Sequence, residues 1–465
     1  MINAIAGAYV ERSPVVVING GPTAANLSNL HQYDIVFSHS IGQDATDLTA
    51  YKLVTANAAR AGIVAEAPAL VDKAISTAIT KKRPVYIEIN KEIWEQACPM
   101  PAGPLTATTP PAGTEHQLAT AIVGLIRAAQ SPLILVGTEV QRYGLADKAA
   151  DLIAKLGVRW ATALLAKSAL AEQGAGWIGV YDPPYSQPAV KNAVEQADLL
   201  VTLGCVFPNG YAALIKNAFG RTVEIYNGKV RIKTAAKQNT EIGALVGALL
   251  TEAAKSAPKP VPPGAVPAVP GPASGPLTYE QVFERISAAL DASWITIPDT
   301  FLGVYAATNL PVKGRDAFLC SGVWASLGHS VAAAVGASFG SSRRPLVICR
   351  DGGFRMTAPA LSTMAQYGRN PVIVVIANGI YGYEQFLLDP SFFSNPAKLP
   401  RPYVVLNAWD FVAFANGLGV PFARAVNTAA AFDAAVAAAK ALQAAALIIA
   451  EVNPHSLSVE LSSSA

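Results

Sequence analysis

Short apolar runs alternate with longer alanine-rich helical patterns along the whole chain. The apolar runs are rich in Val, Ile and Leu and end near Gly, Pro or Asn. Continuous apolar runs of this length are typical of parallel strands that helices cover on both faces. The pattern therefore predicts an α/β protein with doubly wound parallel sheets. The predicted strands are 15–18, 34–37, 85–89, 133–137, 199–204, 223–226, 294–297, 345–349, 372–376 and 447–452.

Two proline-containing segments divide these repeats into three blocks. Residues 256–277 contain closely spaced prolines, which cannot continue a helix or donate the hydrogen bonds of a β-ladder. They predict an extended, semi-rigid linker. A weaker boundary at 98–114 precedes a helical pattern that begins near Glu115. We expect domains at 1–103, 115–255 and 278–465.

The composition indicates a globular protein, since 52% of its 465 residues are hydrophobic and only 14% are charged. The net charge of +3 is too small and too evenly spread to indicate a nucleic-acid partner. The four cysteines lie far apart, which argues against a zinc site or a disulfide framework. Charged residues interrupt the most apolar stretch, 429–452, and the first residues lack the pattern of a secretion signal. We therefore expect no membrane span and a cytoplasmic location.

The candidate chemistry lies in two loops that follow predicted strands of the third block. One strand leads into Asp351, Gly352 and Gly353 and then into a helical pattern. Glycines permit close backbone approach, a helix N-terminus attracts an anion, and a carboxylate can hold a divalent cation. Asn378 follows the next strand, and the backbone carbonyl of Ile380 offers a third oxygen. Because ligands bind at the carboxyl ends of parallel strands, these loops predict a magnesium and phosphate site.

These two loops resemble the signature of the thiamine diphosphate-dependent 2-oxo acid decarboxylases, typified by pyruvate and indolepyruvate decarboxylases. The family's Gly-Asp-Gly, spacer and Asn correspond here to RDGGF and IANGIYGYE. The resemblance extends over the whole chain. It implies the thiamine diphosphate-binding fold, with a pyrimidine-binding domain, a middle domain and a diphosphate-binding domain. It also implies thiamine diphosphate and Mg²⁺ as cofactors and a small-molecule 2-oxo acid as substrate.

The resemblance implies a role for each residue of the two loops. Asp351, Asn378 and the carbonyl of Ile380 correspond to the family's magnesium ligands. Gly352 and Gly353 would lie against the diphosphate.

Further site residues follow from the same resemblance. Glu384 stands where decarboxylases keep an active-site carboxylate that helps to release CO₂ and to protonate the product. In the segment SGVWASLGHS, Leu327 would be the bulky apolar residue beneath the bent cofactor, and Ala325 would offer its carbonyl to the pyrimidine amino group. Thr300 would also reach the cofactor.

The chain departs from the family at several positions. The family's activating glutamate has no counterpart, because Met1 aligns with the middle of the first domain, which we expect to be incomplete. Two adjacent family histidines correspond to His31 and Gln32, so we expect an impaired proton relay; His39 is a further candidate. Arg350 replaces the first glycine of the signature, where it could pair with phosphate or crowd it. The chain is either a shortened fragment or a natural homologue with altered or lost activity.

The leading hypothesis is a carboxy-lyase that converts a 2-oxo acid to an aldehyde and CO₂. The alternatives are a carboligase resembling acetolactate synthase, and a cofactor-binding homologue without turnover. Because the family's site forms between two subunits, the resemblance implies a homodimer or homotetramer.

Overall fold

The computed structural model describes residues 1–100, 103–105, 113–183, 185–261, 275–300 and 302–457. The chain divides into two compact units, the first formed by Met1–Thr114 with Arg142–Gly144, the second by Glu115–Gln141 with Leu145–Ala465. Most of the predicted linker, residues 262–274, lies outside the described residues. The domain boundaries of the sequence analysis therefore stay a prediction.

The first unit is built on a small parallel sheet. Its elements are α1 (Ile2–Val10), β1 (Val16–Gly21), α2 (Ala24–Tyr33), α3 (Thr46–Lys52), β2 (Asn57–Ala61), α4 (Ala67–Lys81) and β3 (Val85–Asn90). The three strands lie in the order β1-β3-β2, all parallel. The central strand β3 buries Tyr86 on one face, with Ile5 and Tyr51, and Ile87 on the other, with Ala74 of α4. Both faces of this sheet are thus covered near its centre.

The predicted strand 34–37 is wrong. Asp34 ends helix α2 in the left-handed conformation, with φ of 55°, and the amide of Ile35 donates back to the carbonyl of Asn29. Ile35 and Val36 are more than half exposed. The segment has no partner strand among the described residues, so apolar side chains alone did not make it a strand.

The second unit begins with a mixed sheet of seven strands. Its elements are α5 (Glu115–Ala128), β4 (Pro132–Val136), α6 (Thr138–Arg142), α7 (Ala146–Leu156), β5 (Arg159–Ala163), β6 (Trp177–Tyr181), α8 (Pro188–Glu195), β7 (Leu199–Leu203), α9 (Ala212–Ala218), β8 (Thr222–Tyr226), β9 (Gly228–Ile232), β10 (Gln238–Thr240) and α10 (Ile242–Ala253). The strand order is β10-β9-β8-β7-β4-β5-β6. The pairs β8–β9 and β9–β10 are antiparallel, and the rest of the sheet is parallel.

A second sheet of the same unit, entirely parallel, carries the two candidate loops. The elements are α11 (Tyr279–Ala289), β11 (Trp294–Pro298), α12 (Leu302–Ala307), α13 (His329–Gly340), β12 (Arg344–Arg350), α14 (Asp351–Thr357), α15 (Ala360–Gln366), β13 (Val372–Ala377), α16 (Gly382–Leu388), α17 (Phe411–Gly417), β14 (Phe422–Val426), α18 (Ala429–Ala441) and β15 (Ala446–Glu451). The strand order is β11-β12-β13-β15-β14. None of the helices within the described ranges has the length and apolar character that a bilayer crossing requires.

The apolar strands of this sheet bury successive side chains in two different cores. Ile348 and Val374 pack on the face that α11 and α18 cover, whereas Val347 and Ile373 pack on the opposite face with Phe354 of α14. Each fully buried side chain of this size contributes roughly 1.5–3 kcal/mol. Burial on both faces explains why these strands are continuous apolar runs, and it confirms the predicted doubly wound α/β class.

Candidate active site

The register of the sheet brings the two candidate loops together. Arg350, the last residue of β12, pairs with Ile376 of β13, so Asp351 and Asn378 follow neighbouring strand ends. The Asp351 carboxylate accepts hydrogen bonds from the backbone amide of Gly352 at 3.0 Å and from that of Gly379 at 2.7 Å. The carboxylate therefore ties the loop after β12 to the loop after β13.

Both predicted metal-ligating side chains are buried. Asp351 is 2% exposed, and burial raises the pKa of its carboxyl, while the adjacent Arg350 guanidinium acts in the opposite direction. Asn378 is 3% exposed, and both polar atoms of its amide lack a hydrogen-bond partner within the described chain. A buried amide without partners costs free energy unless a ligand supplies the missing contact. The pair thus fits a hard cation such as Mg²⁺, which prefers oxygen ligands.

Backbone hydrogen bonds hold the loop that contains Ile380. The amide of Tyr381 donates to the carbonyl of Val404 at 2.8 Å, and the amide of Leu406 donates to the carbonyl of Gly379 at 2.9 Å. Ile380 itself is buried. Its position two residues after Asn378 is therefore fixed by residues far along the chain.

Gly352 and Gly353 have structural reasons to be glycine. A Cβ atom at Gly352 would lie 2.5 Å from the ring of Tyr381, and one at Gly353 would overlap the carboxylate of Asp299. The protein itself thus occupies part of the space that these glycines leave. Both glycines also line a pocket with a cavity volume of about 30 Å³.

This pocket brings together most of the site residues predicted in the second unit. Thr300, Leu327, Ile380 and Glu384 line it together with the two glycines. The complete set of lining residues is Asp299, Thr300, Gly303, Leu327, Arg350, Gly352, Gly353, Ile380, Tyr381, Gly382, Tyr383 and Glu384. Ala325 does not line the pocket. It lies in the loop before α13 with a positive φ of 57°, and its predicted contact stays a prediction.

Sequence reasoning missed Asp299. This residue is 2% exposed, and its carboxylate accepts hydrogen bonds from the backbone amides of Gly328 at 3.1 Å and Ser330 at 3.3 Å. Burial raises the pKa of its carboxyl, and these amides act in the opposite direction. Asp299 thereby positions the loop that carries Leu327. The available signal was its place beside Thr300, directly after an apolar strand.

Sequence reasoning also missed a group of partly buried tyrosines next to the pocket. The rings of Tyr185 and Tyr305 stack with centroids 3.7 Å apart, and the ring of Tyr305 lies 6.2 Å from that of the pocket residue Tyr383. Asp182 is 5% exposed and accepts a hydrogen bond from Thr308 at 3.4 Å. Burial raises the pKa of Asp182 to about 7. These residues come from segments that are far apart in sequence, so no local motif predicts the group.

The predicted histidine relay lies in the first unit. His31 contacts Asp44 at 2.6 Å through Nε2, and Gln32 donates to Ser28 at 3.1 Å. His39 has a positive φ of 65° and lines a polar pocket with Arg60 and Glu88. The catalytic roles of His31 and Gln32 stay predictions.

Two segments of the second unit match described families. Residues 119–252 match the thiamine pyrophosphate enzyme central domain, and residues 301–450 match the thiamine pyrophosphate enzyme C-terminal TPP binding domain. The second match contains every predicted magnesium ligand and Glu384.

Similar proteins extend the likeness over most of the chain. The chain is 28% identical to an indole-3-pyruvate decarboxylase of Azospirillum brasilense over 435 residues, which are 90% of this chain and 75% of that protein. It is also 28% identical to an alpha-keto-acid decarboxylase of Mycobacterium tuberculosis over 432 residues, or 90% of this chain and 74% of that one.

Solved structures share the fold. A benzoylformate decarboxylase from Polynucleobacter necessarius matches with a TM-score of 0.78 at 16% identity, covering 98% of this chain and 85% of that one. A thiamine diphosphate-dependent 4-hydroxybenzoylformate decarboxylase from Rhodococcus jostii matches with a TM-score of 0.75 at 21% identity, covering 97% and 85%. From the two domain matches and the similar sequences together, we conclude that this chain belongs to the thiamine diphosphate-dependent 2-oxo acid decarboxylase family.

Proposed function

We propose that this protein is a carboxy-lyase that uses thiamine diphosphate and Mg²⁺ to convert a 2-oxo acid to an aldehyde and CO₂. Membership of the decarboxylase family supports the reaction class and the organic cofactor. The observation that carries the proposal for this chain is the pair of buried oxygen ligands, Asp351 and Asn378, beside a glycine-lined pocket that also contains Glu384.

Asp351, Asn378 and the Ile380 carbonyl would hold Mg²⁺. Gly352 and Gly353, which line the pocket, would lie against the diphosphate. When bound, thiamine diphosphate supplies an electron-accepting ring for the electron pair left by the departing CO₂. The amide of Asn378 would then gain the partner that it otherwise lacks.

The remaining pocket residues position groups and move protons. The Leu327 side chain would support the bent cofactor. The Asp299 carboxylate holds the loop that contains Leu327, because it accepts hydrogen bonds from the amides of Gly328 and Ser330. Thr300 would contact the cofactor. Glu384, at the first turn of α16, would donate the proton that completes the aldehyde.

The proposal also assigns roles outside the pocket. The carbonyl of Ala325 would accept from the pyrimidine amino group. His31 would take part in proton transfer, and Gln32, which cannot titrate, would weaken that relay. We further propose a homodimer or homotetramer in the cytoplasm, and sedimentation equilibrium of the purified protein would test the oligomeric state.

The experiment is product analysis with the purified protein, Mg²⁺ and thiamine diphosphate. Pyruvate, indole-3-pyruvate and benzoylformate are each supplied, and CO₂, aldehyde and hydroxyketone are measured separately. We expect CO₂ and the aldehyde in equal amounts from at least one acid. Hydroxyketone as the main product from pyruvate would identify the carboligase instead. Cofactor binding without CO₂ release from any of the acids would contradict the proposal and indicate a homologue without turnover.

The Glu384→Gln variant tests the proposed proton donor. We expect kcat to fall by roughly 100- to 1,000-fold, because the amide cannot deliver a proton. The affinity for thiamine diphosphate should stay within about threefold of that of the unaltered protein, a titration that calorimetry measures. Glu280→Gln on the exposed side of α11 is the matched control and should keep full activity. An equal loss in both variants would remove Glu384 from the mechanism.

A further inference from the structure

The Arg350 guanidinium is a buried cationic group that lacks a hydrogen-bond partner among the described residues. Its Nε, Nη1 and Nη2 atoms are all buried, and none of them has a hydrogen-bond partner within the described chain. A guanidinium carries five N–H donors and stays charged at every relevant pH. Leaving such a group desolvated and unpaired costs far more than leaving a neutral donor unpaired. A protein tolerates this arrangement at a site where an anion binds.

The neighbouring groups compensate this charge only in part. The carboxylate of Asp351 is adjacent in sequence, but both of its oxygens already accept backbone hydrogen bonds. The ring of Tyr279 lies 5.5 Å from the guanidinium carbon, which is a cation–π distance. A ring face attracts the charge but accepts none of the five donors in the usual geometry.

The guanidinium lies at the wall of the pocket. Gly382 has no side chain at this point, and a Cβ atom there would be 2.6 Å from both Nη1 and Nη2 of Arg350. Arg350 lines the same pocket as three glycines, Gly352, Gly353 and Gly382. A glycine at 382 therefore allows the guanidinium to pack against the backbone at this wall, next to the two glycines proposed to contact the diphosphate.

We propose that Arg350 binds the diphosphate group of the cofactor through its guanidinium. The inference rests on the proposed function. Mg²⁺ and the Asp351 carboxylate together leave a single positive charge, which is less than a diphosphate requires. An arginine supplies a further positive charge and a planar fork that matches two phosphate oxygens. The carboxylate of an acidic substrate shares this chemistry, so the experiment must separate the two sources of the anion.

The experiment is calorimetric titration of Arg350→Met, Arg350→Lys and the unaltered protein. The ligands are thiamine diphosphate and inorganic diphosphate, each with Mg²⁺, and thiamine without phosphate. In Arg350→Met, we expect the affinity for both diphosphates to fall by about 10- to 100-fold and that for thiamine to stay unchanged. Arg350→Lys should lie in between, because it keeps the charge and loses the fork.

Two further measurements use the protein without ligand and a matched control. The ligand-free Arg350→Met variant should unfold at a higher temperature than the unaltered protein, because an unpaired buried charge is removed. Arg355→Met removes a charge from α14, the helix that follows Arg350, but Arg355 donates to Asn407 and does not line the pocket. We expect it to keep the diphosphate affinity.

The outcomes separate this inference from the proposed function. Unchanged diphosphate affinity in Arg350→Met would overturn the inference, and a raised KM for the 2-oxo acid in that variant would then assign Arg350 to the substrate carboxylate. Arg350-dependent binding of both diphosphates without CO₂ release by the unaltered protein would support the inference and contradict the proposed function.

Discussion

At the scale of single residues, the loops after β12 and β13 bring together buried polar groups, two of which lack hydrogen-bond partners within the described chain. Within the described ranges, the buried Asn378 amide and the buried Arg350 guanidinium have no hydrogen-bond partners, and burial raises the pKa of Asp351. Elsewhere in the chain a buried charge such as Lys167 has an ion-pair partner, Glu172, at 2.8 Å. Unsatisfied groups at two neighbouring strand ends are typical of a site whose ligands complete the hydrogen bonding.

The Asn378→Leu variant tests this view at one residue. Leucine is similar in size and has no polar atoms, so the ligand-free protein should be at least as stable, with a gain of about 1 kcal/mol in unfolding free energy. The Mg²⁺-dependent affinity for thiamine diphosphate should fall by about 100-fold or more. Urea unfolding in EDTA and calorimetric titration measure the two effects.

A matched variant in the first unit shows the opposite behaviour. The amide of Asn19 donates to Asp47 at 3.1 Å and to the Tyr86 hydroxyl at 2.9 Å. Asn19→Leu should therefore lose roughly 1–3 kcal/mol of stability. A comparable loss in Asn378→Leu would mean that Asn378 has a structural role instead.

At the scale of elements, the helices that follow β12 and β13 place the site. Helix α14 starts at Asp351, the residue after the end of β12, so Asp351, Gly352 and Gly353 all belong to its first turn. Helix α16 similarly places Glu384 in its first turn. Helix α11 supports the site from one side, since its first residue, Tyr279, faces the Arg350 guanidinium.

The start of α11 is fixed by a capping box. The Thr278 side chain accepts from the amide of Gln281, whose own side chain accepts from the amide of Thr278. We expect Thr278→Ala to lower the unfolding free energy by about 1 kcal/mol. Thr251→Ala in α10 is the control, because Thr251 donates only to a carbonyl of its own helix and should change stability little. Equal effects in urea titrations would exclude a role for the cap.

At the scale of the whole second unit, a buried carboxyl joins segments that belong to different sheets. Asp182 follows β6 of the mixed sheet, and its hydrogen-bond donor Thr308 follows α12 of the parallel sheet. The stacked pair Tyr185 and Tyr305 spans the same two segments. These contacts couple the packing of the two sheets to the protonation of one group.

The stability of this unit should depend on pH through Asp182. Burial raises its pKa from 3.8 to about 7, so the folded protein holds a proton that the unfolded chain has released. The contribution of Asp182 to the unfolding free energy is therefore fully present below about pH 4. It is lost as the pH rises to about 7, by at most about 1.4 kcal/mol per pH unit. Urea unfolding between pH 4 and 8 measures the slope.

Asp182→Asn removes the titrating group and keeps the shape of the side chain. We expect a flatter pH profile in this range and greater stability than the unaltered protein at pH 8. The control is Asp151→Asn on the exposed face of α7. Asp433→Asn would not be suitable, because Asp433 pairs with Arg285. An unchanged slope in Asp182→Asn would assign the pH dependence to other groups.

The sequence by itself determined the fold class and the polar residues at the two strand ends. Runs buried on both faces must be apolar throughout, so β12 and β13 were readable, and Asp351 and Asn378 could be placed directly after their ends. The role of Glu384 came only from the resemblance to the decarboxylases and stays a prediction. Local reading failed at 34–37, which is apolar but unpaired, and at β2, whose sequence NAARA has no apolar run. Pairing with a neighbouring strand decided both segments.

Only the tertiary structure decided which groups surround the pocket and which lack partners. Asp299 and Tyr383 line it from segments far apart in sequence, and the ring of Tyr305 lies beside that of Tyr383. The unpaired state of Arg350 also depends on Gly382 and Tyr279, residues that lie 32 positions after it and 71 before it. Local spacing specifies which side chains leave a strand end, whereas burial and hydrogen bonding depend on every segment that packs there.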